Sequence, residues 1–152
     1  MVVENWRDEA DWARLVALEG CPICERGQPL DVLVELRASW ATGGAEAPLP
    51  GYLCVVSKTH AVEPFELPED QRAAFWDDVM RVAAAAASVT GAVKMNYAIY
   101  GNTIPHLHMH LFPRFRDDPY RGIHVATQHV FHRSREDLER LAEAIRAPAS
   151  PT

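Results

Sequence analysis

The sequence predicts a single mixed domain in which short strands alternate with two long helices. Three observations predict it. Residues 106–112, His-Leu-His-Met-His-Leu-Phe, alternate with a period of two, as a strand does. Residues 68–90 place Phe75, Val79, Val82 and Ala86 at i, i+4, i+7 and i+11, a helical stripe. Residues 134–147 open on Ser134-Arg135-Glu136-Asp137, a capping-box pattern, and repeat Leu138, Leu141 and Ile145 on one side.

The remaining elements follow in chain order. Residues 8–18 read as a short helix with Trp12, Leu15, Val16 and Leu18 on its apolar side and Gly20 as its stop. Residues 1–19 form an N-terminal extension to the domain. Residues 31–40 alternate well enough for one strand, and the Gly/Pro/Ala-rich residues 41–51 read as a loop between strands. Residues 52–56 form a short apolar run suited to a central strand, with Cys54 as a core residue. In the helix over 68–90, Pro68 suits the first turn, Glu69 and Asp70 suit its positive end, and Gly91 suits the stop. Residues 94–100 read as a strand hairpinned through Gly101-Asn102 onto the histidine-bearing strand. Residues 117–131 form a long mixed connection, in which His124 and His129, with His132 just beyond, are expected at the surface. Residues 148–152 are expected to be a disordered tail.

Composition excludes several classes. At 152 residues the chain can bury a real core as one domain. A net charge of −6 with only two lysines, Lys58 and Lys94, argues against a general nucleic-acid binder, which needs a basic face. No apolar run approaches 20 residues, so no membrane span is expected. The N-terminus lacks a signal-peptide core. Three cysteines make a poor disulfide framework, and a reducing cytoplasm is the expected compartment.

Chemistry concentrates in two places. On a strand, His106, His108 and His110 form a row on one face. Such a row is either incidental, a single metal site, or a divided site in which the middle imidazole is a base or nucleophile. Positions i and i+4 lie about 13 Å apart at about 3.3 Å per residue. Three consecutive histidines would therefore need a bent strand to share one ion. The second place is Cys21-Pro22-Ile23-Cys24. A C-x2-C pair is a buried thiol pair, a redox dithiol or half of a zinc site. A structural zinc needs four N or S ligands, and with Cys54 alone the missing ones should be histidines.

His106-Leu107-His108-Met109-His110-Leu111-Phe112 resembles the His-x-His-x-His-φ-φ signature of the histidine-triad (HIT) superfamily. Gly101-Asn102 before it and Pro113-Arg114 after it resemble the diadenosine-polyphosphate hydrolase-like branch. The likeness covers about residues 20–116. It implies an α+β domain with a five-stranded antiparallel sheet, one long central helix and a C-terminal helix, paired as a homodimer. It also implies a structural zinc on Cys21, Cys24, His60 and His106, and no organic cofactor.

The resemblance further implies the chemistry. His108 attacks the phosphorus of a nucleoside phosphate ester, anhydride or phosphoramidate and forms a nucleotidyl-histidine. A backbone carbonyl, that of His106, fixes its tautomer, and His110 donates to a phosphoryl oxygen or the leaving group. Asn102 and Arg114, with Asn96 as a weaker candidate, are expected to bind phosphate. Two other classes fit the same residues: a hydrolase with a catalytic metal on the histidine row, and a nucleotide-binding module without turnover.

Overall fold

The computed structural model describes residues 5–125 and 130–148. The expected tail beyond Pro148 and His129 lie outside these residues. A short helix, α1 (Glu9–Val16), is capped by the Asp8 carboxylate, which accepts from Asp11 N–H at 2.8 Å. A five-residue turn of helix, α2 (Pro22–Arg26), follows with Pro22 at its start. Then come β1 (Val32–Glu35), β2 (Ser39–Thr42), β3 (Glu46–Ala47) and β4 (Leu53–Ser57). The long helix α3 (Glu69–Thr90) leads into β5 (Lys94–Ala98) and β6 (His108–Arg114), and the chain ends with β7 (Phe131–His132) and α4 (Arg135–Arg146).

The strands form a five-stranded antiparallel sheet in the order β1-β2-β4-β6-β5, with β3 and β7 paired separately. This is the α+β architecture that the resemblance implies. One expected strand is corrected. Residues 31–40 are not one strand but most of a hairpin, β1 and β2, which extends into the expected loop. The turn between them is held from outside. Asp78, buried on α3, accepts from Ala38 N–H at 2.9 Å and from the Ser39 hydroxyl at 2.7 Å. A local reading of the alternation had no access to that long-range anchor.

The sheet has two unlike faces, because side chains alternate across each strand. Leu107, Met109 and Leu111 pack inward with Leu53 and Val55 of β4 against Phe75, Val79, Val82 and Ala86 of α3. Leu141, Ala142 and Ile145 of α4 close this core. Arg81 of α3 donates to the carbonyls of Ile145 and Arg146, satisfying the end of α4. Gly51, at φ +73°, admits β4 to the sheet. A Cβ there would lie 2.5 Å from Thr90 Cγ2 and 3.2 Å from Pro113 Cγ.

The other face carries the histidines. Register places Val56 opposite His108 and Cys54 opposite His110 on β4, and Ala98 opposite His110 on β5. Two covers lie over this face. Around α2, Cys21 and Ile23 pack with Val56, Trp40 and Ile104. Leu49, Tyr120 and Val125 pack over Phe112.

Asp78→Ala should cost about 1–3 kcal/mol in denaturant unfolding, because the Ala38 N–H and the fully buried Ser39 hydroxyl lose their acceptor. The exposed Asp77→Ala next to it should be near neutral.

Candidate functional site

The two thiols and two of the imidazoles converge. Cys21, Cys24, His60 and His106 each offer one ligand atom, and these atoms all lie within 4.8 Å of one another. His106 Nδ1 is 3.5 Å from each sulfur, His60 Nδ1 is 3.3 Å from Cys24 Sγ, and the two Nδ1 atoms are 3.3 Å apart. Tetrahedral zinc with bonds of about 2.0–2.3 Å spaces its N and S ligands about 3.3–3.8 Å apart, so the donor set fits. The far ring nitrogens agree. His106 Nε2 donates to Ser57 O at 2.7 Å and His60 Nε2 donates to Val16 O at 3.1 Å. Both histidines thus keep an Nδ1 lone pair aimed into the cluster, the outer-layer arrangement that orients metal-binding imidazoles. Burial pushes His106 below its ordinary pKa and keeps it neutral. Burial and the adjacent Cys21 push the Cys24 thiol up to about 11, so a cation is what would hold the pair as thiolates at neutral pH. Val16 also makes α1 part of this cluster.

His106 precedes β6 and does not share the ladder of the other two histidines. Leu107 is held between strands by other bonds, donating to Ala61 O at 2.7 Å and accepting from Ser57 N–H at 3.0 Å. The ring of His106 therefore turns to the cysteines while His108 and His110 remain on the sheet. Their ring centroids are 4.8 Å apart. His108 Nδ1 donates to the carbonyl of His106 at 2.7 Å, which leaves Nε2 as the free lone pair. His110 is enclosed by Tyr100 at 5.2 Å, Phe112 at 5.9 Å and Tyr52 at 6.1 Å between centroids. That enclosure, and secondly the neighbouring His108, pushes His110 down to about 4. His110 is thus a neutral imidazole at pH 7.

A cavity of about 280 Å3 opens over these two rings, lined by Tyr100, Asn102, Thr103, Ile104, His108 and His110. Asn102 therefore sits where a ligand on the histidines would lie. Arg114 and Asn96, also expected to bind phosphate, bond to each other and to the 115–123 segment. Arg114 makes a two-pronged ion pair with Asp118, at 2.8 and 3.0 Å. Its third bonded nitrogen donates to Asn96 Oδ1 at 2.9 Å and to Ile123 O at 2.8 Å. Arg114 is 9% exposed and fastens the 115–123 segment. The guanidinium beside Asp118 holds that carboxyl well below the usual carboxylate range.

Two residues of the site are not evident from the sequence. Tyr52 Oη lies 2.8 Å from His110 Nδ1 and 3.1 Å from Cys54 Sγ, and Cys54 Sγ lies 3.3 Å from the same Nδ1. Cys54 packs against the Cys21, Ile23 and Val56 cluster and stands outside the Cys/His cluster, with its thiol on the histidine face. The available signal was the i, i+2 spacing of Tyr52 and Cys54 on a strand that pairs with β6.

A two-thiol, two-imidazole cluster joined through His106 to a pair of adjacent imidazoles in a cleft marks this small α+β domain. The family model for the HIT domain matches residues 25–117. The chain belongs to the HIT domain family. Among solved structures it is similar to a histidine triad protein from Bradyrhizobium japonicum. That match has 26% identity and a TM-score of 0.67, and covers 76% of this chain and 87% of that one. A histidine triad protein from Sinorhizobium meliloti gives 25% identity and a TM-score of 0.67, covering 75% and 85%. A zinc-bound histidine triad family protein from Mycobacterium smegmatis shares the fold at 22% identity and a TM-score of 0.58, covering 88% and 91%. No curated protein matches the sequence. Among the described residues, no helix is long and apolar enough to cross a membrane.

Two measurements check this site. Cys21→Ser should abolish zinc binding by elemental analysis and lower Tm by on the order of 10 °C, whereas His108→Ala should retain stoichiometric zinc. Separately, His110 goes from an unfolded value of 6.5 to about 4 when folded. Between these values the unfolded chain binds more protons, so this group makes stability fall as pH drops from about 6.5 to about 4. In His110→Gln that part of the pH slope should be absent in urea unfolding.

Proposed function

We propose that the protein is a nucleotide hydrolase or nucleotidyl transferase that works through a covalent nucleotidyl-histidine on His108. The observation that carries this reading is the 2.7 Å bond from His108 Nδ1 to the His106 carbonyl. It aims an unprotonated Nε2 into the cavity that His110 and Asn102 also line. A neutral imidazole approaches an anionic phosphoryl group without the repulsion that slows hydroxide.

In the first step, His108 Nε2 forms a bond to the α-phosphorus and the bond to the leaving group breaks. The leaving group departs with its electron pair and accepts a hydrogen bond from His110 Nε2–H. The His106 carbonyl accepts from the Nδ1–H of the ring that now carries positive charge. Asn102 binds a phosphoryl oxygen. In the second step, a water or another acceptor attacks phosphorus and loses its proton to solvent. The N–P electrons then return to His108. The Cys21, Cys24, His60 and His106 set would hold zinc as a closed structural site with no open position. The reading in which the histidine row forms a catalytic metal site loses support, because the cluster includes His106 but neither His108 nor His110.

The substrate is an adenosine-type phosphate anhydride or phosphoramidate, with the diadenosine-polyphosphate-like branch as the family setting. One solved relative is described as a histidine triad nucleotide-binding protein from Sulfolobus tokodaii. The protein acts in the cytoplasm as a homodimer. Trp76 and Met80, one turn apart on α3, and Tyr97 on the edge strand β5 are exposed apolar residues that support pairing there.

Intact-protein mass spectrometry after brief exposure to dinucleoside polyphosphates, adenosine phosphoramidates and adenylyl sulfate tests the reading. A nucleotide-sized mass gain is expected, lost in His108→Ala. Binding without any adduct or product across the panel would instead establish a non-catalytic nucleotide-binding module.

A further inference from the structure

Tyr52, Cys54 and His110 form a closed triangle of polar atoms on the histidine face, and the mechanism above uses only one of the three. The edges are 2.8 Å from Tyr52 Oη to His110 Nδ1, 3.1 Å from Tyr52 Oη to Cys54 Sγ, and 3.3 Å from Cys54 Sγ to His110 Nδ1. The Tyr52 ring is itself fixed, 5.1 Å from Phe112 between centroids. The hydroxyl cannot turn away without breaking that packing.

All three groups are neutral at pH 7. Burial raises Tyr52 well above its ordinary range and Cys54 to about 11, and His110 is lowered as described. Among the proton arrangements open to neutral groups, two join the Tyr52 hydroxyl directly to His110 Nδ1. In one, Tyr52 O–H donates to His110 Nδ1 and the Cys54 thiol donates to the phenol oxygen. In the other, His110 Nδ1–H donates to the phenol, which donates to sulfur. A phenol is the strongest donor of the three and an imidazole nitrogen the strongest acceptor, while a thiol is weak in either role. The shortest edge joins that strongest pair, at the length of a good hydrogen bond. The first arrangement therefore wins.

We propose that the Tyr52 hydroxyl is a positioning group that holds His110 as its Nε2–H tautomer, opposite to the tautomer held in His108. The His106 carbonyl forces the proton of His108 onto Nδ1, and Tyr52 forces the proton of His110 onto Nε2. Two adjacent rings thus present one lone pair and one N–H to the same cavity. Such a pair receives a nucleotidyl group at one ring and offers a hydrogen-bond donor to the departing group from the other without prior proton exchange. Cys54 completes the phenol oxygen's acceptor capacity and is secondary. This deepens the reading above and rests on it for its catalytic consequence only.

The test is side-chain nitrogen NMR of the full chain labelled with 15N-histidine, recorded without substrate, beside steady-state kinetics. In the wild type, His110 is expected with Nε2 protonated and Nδ1 bare. Tyr52→Phe keeps the ring packing and is expected to mix the two tautomers. It should lower kcat roughly 10- to 100-fold and change KM less than about threefold. Cys54→Ala is expected to leave the His110 tautomer unchanged. An Nδ1-protonated His110 in the wild type would overturn the inference, as would Tyr52→Phe without a tautomer change. A switch in Cys54→Ala would assign the donor to the thiol and overturn it equally. Finding no turnover with any nucleotide would refute the catalytic reading while leaving the tautomer assignment to stand or fall on the spectra.

Discussion

One residue, His106, joins everything chemical in this molecule. Its ring meets two sulfurs and a second imidazole, and its carbonyl holds the proton of His108. The ring is held at both nitrogens, by the cysteines on one side and Ser57 O on the other, so its side-chain torsions are fixed and the backbone that carries the carbonyl is held with it. Whatever fixes the cluster therefore also fixes the direction in which His108 presents its lone pair. The Cys/His cluster and the His108–His110 face are separate in space but share one backbone unit.

The sheet supplies the rest by being asymmetric. Its inner face is hydrocarbon against α3 and α4, with Leu53, Val55 and Leu111 fully buried. Its outer face is covered in two patches that leave the histidines between them. That partial covering has an electrostatic result. Aromatic rings around His110 exclude water and disfavour its imidazolium, so this ring offers directional hydrogen bonds rather than fixed charge. Arg114, the nearest strong cation along β6, is neutralised by Asp118 and spends its donors on Asn96 and Ile123.

Much of this was legible in the sequence because it rests on local periodicity or short spacing. The triad strand, the stripe of α3, the capping box of α4 and the C-x2-C pair all carry their information within a few residues. The pairing of Cys21 and Cys24 with His60 and His106 was reachable only through the family likeness, since no local pattern links position 24 to position 106. What stayed hidden depends on strand pairing. The β1–β2 hairpin is set by Asp78, some 40 residues away, and Tyr52 meets His110 only once β4 lies beside β6. The pairing of Arg114 with Asp118 is foreshadowed by the i, i+4 spacing of a guanidinium and a carboxylate, although no local pattern shows the further bonds to Asn96 and Ile123.

The bonds of Leu107 to Ala61 and Ser57 have one more consequence. A pleated ribbon exchanges its two sides with every residue, so sliding β6 by a single position would swing the His108 and His110 rings into hydrocarbon and expose Met109 and Leu111 to water. Those two main-chain bonds sit at the entrance to the strand, where such a slip would begin. The amides of an apolar leucine thus act as the frame-keeper of the chemistry, although its side chain never touches it.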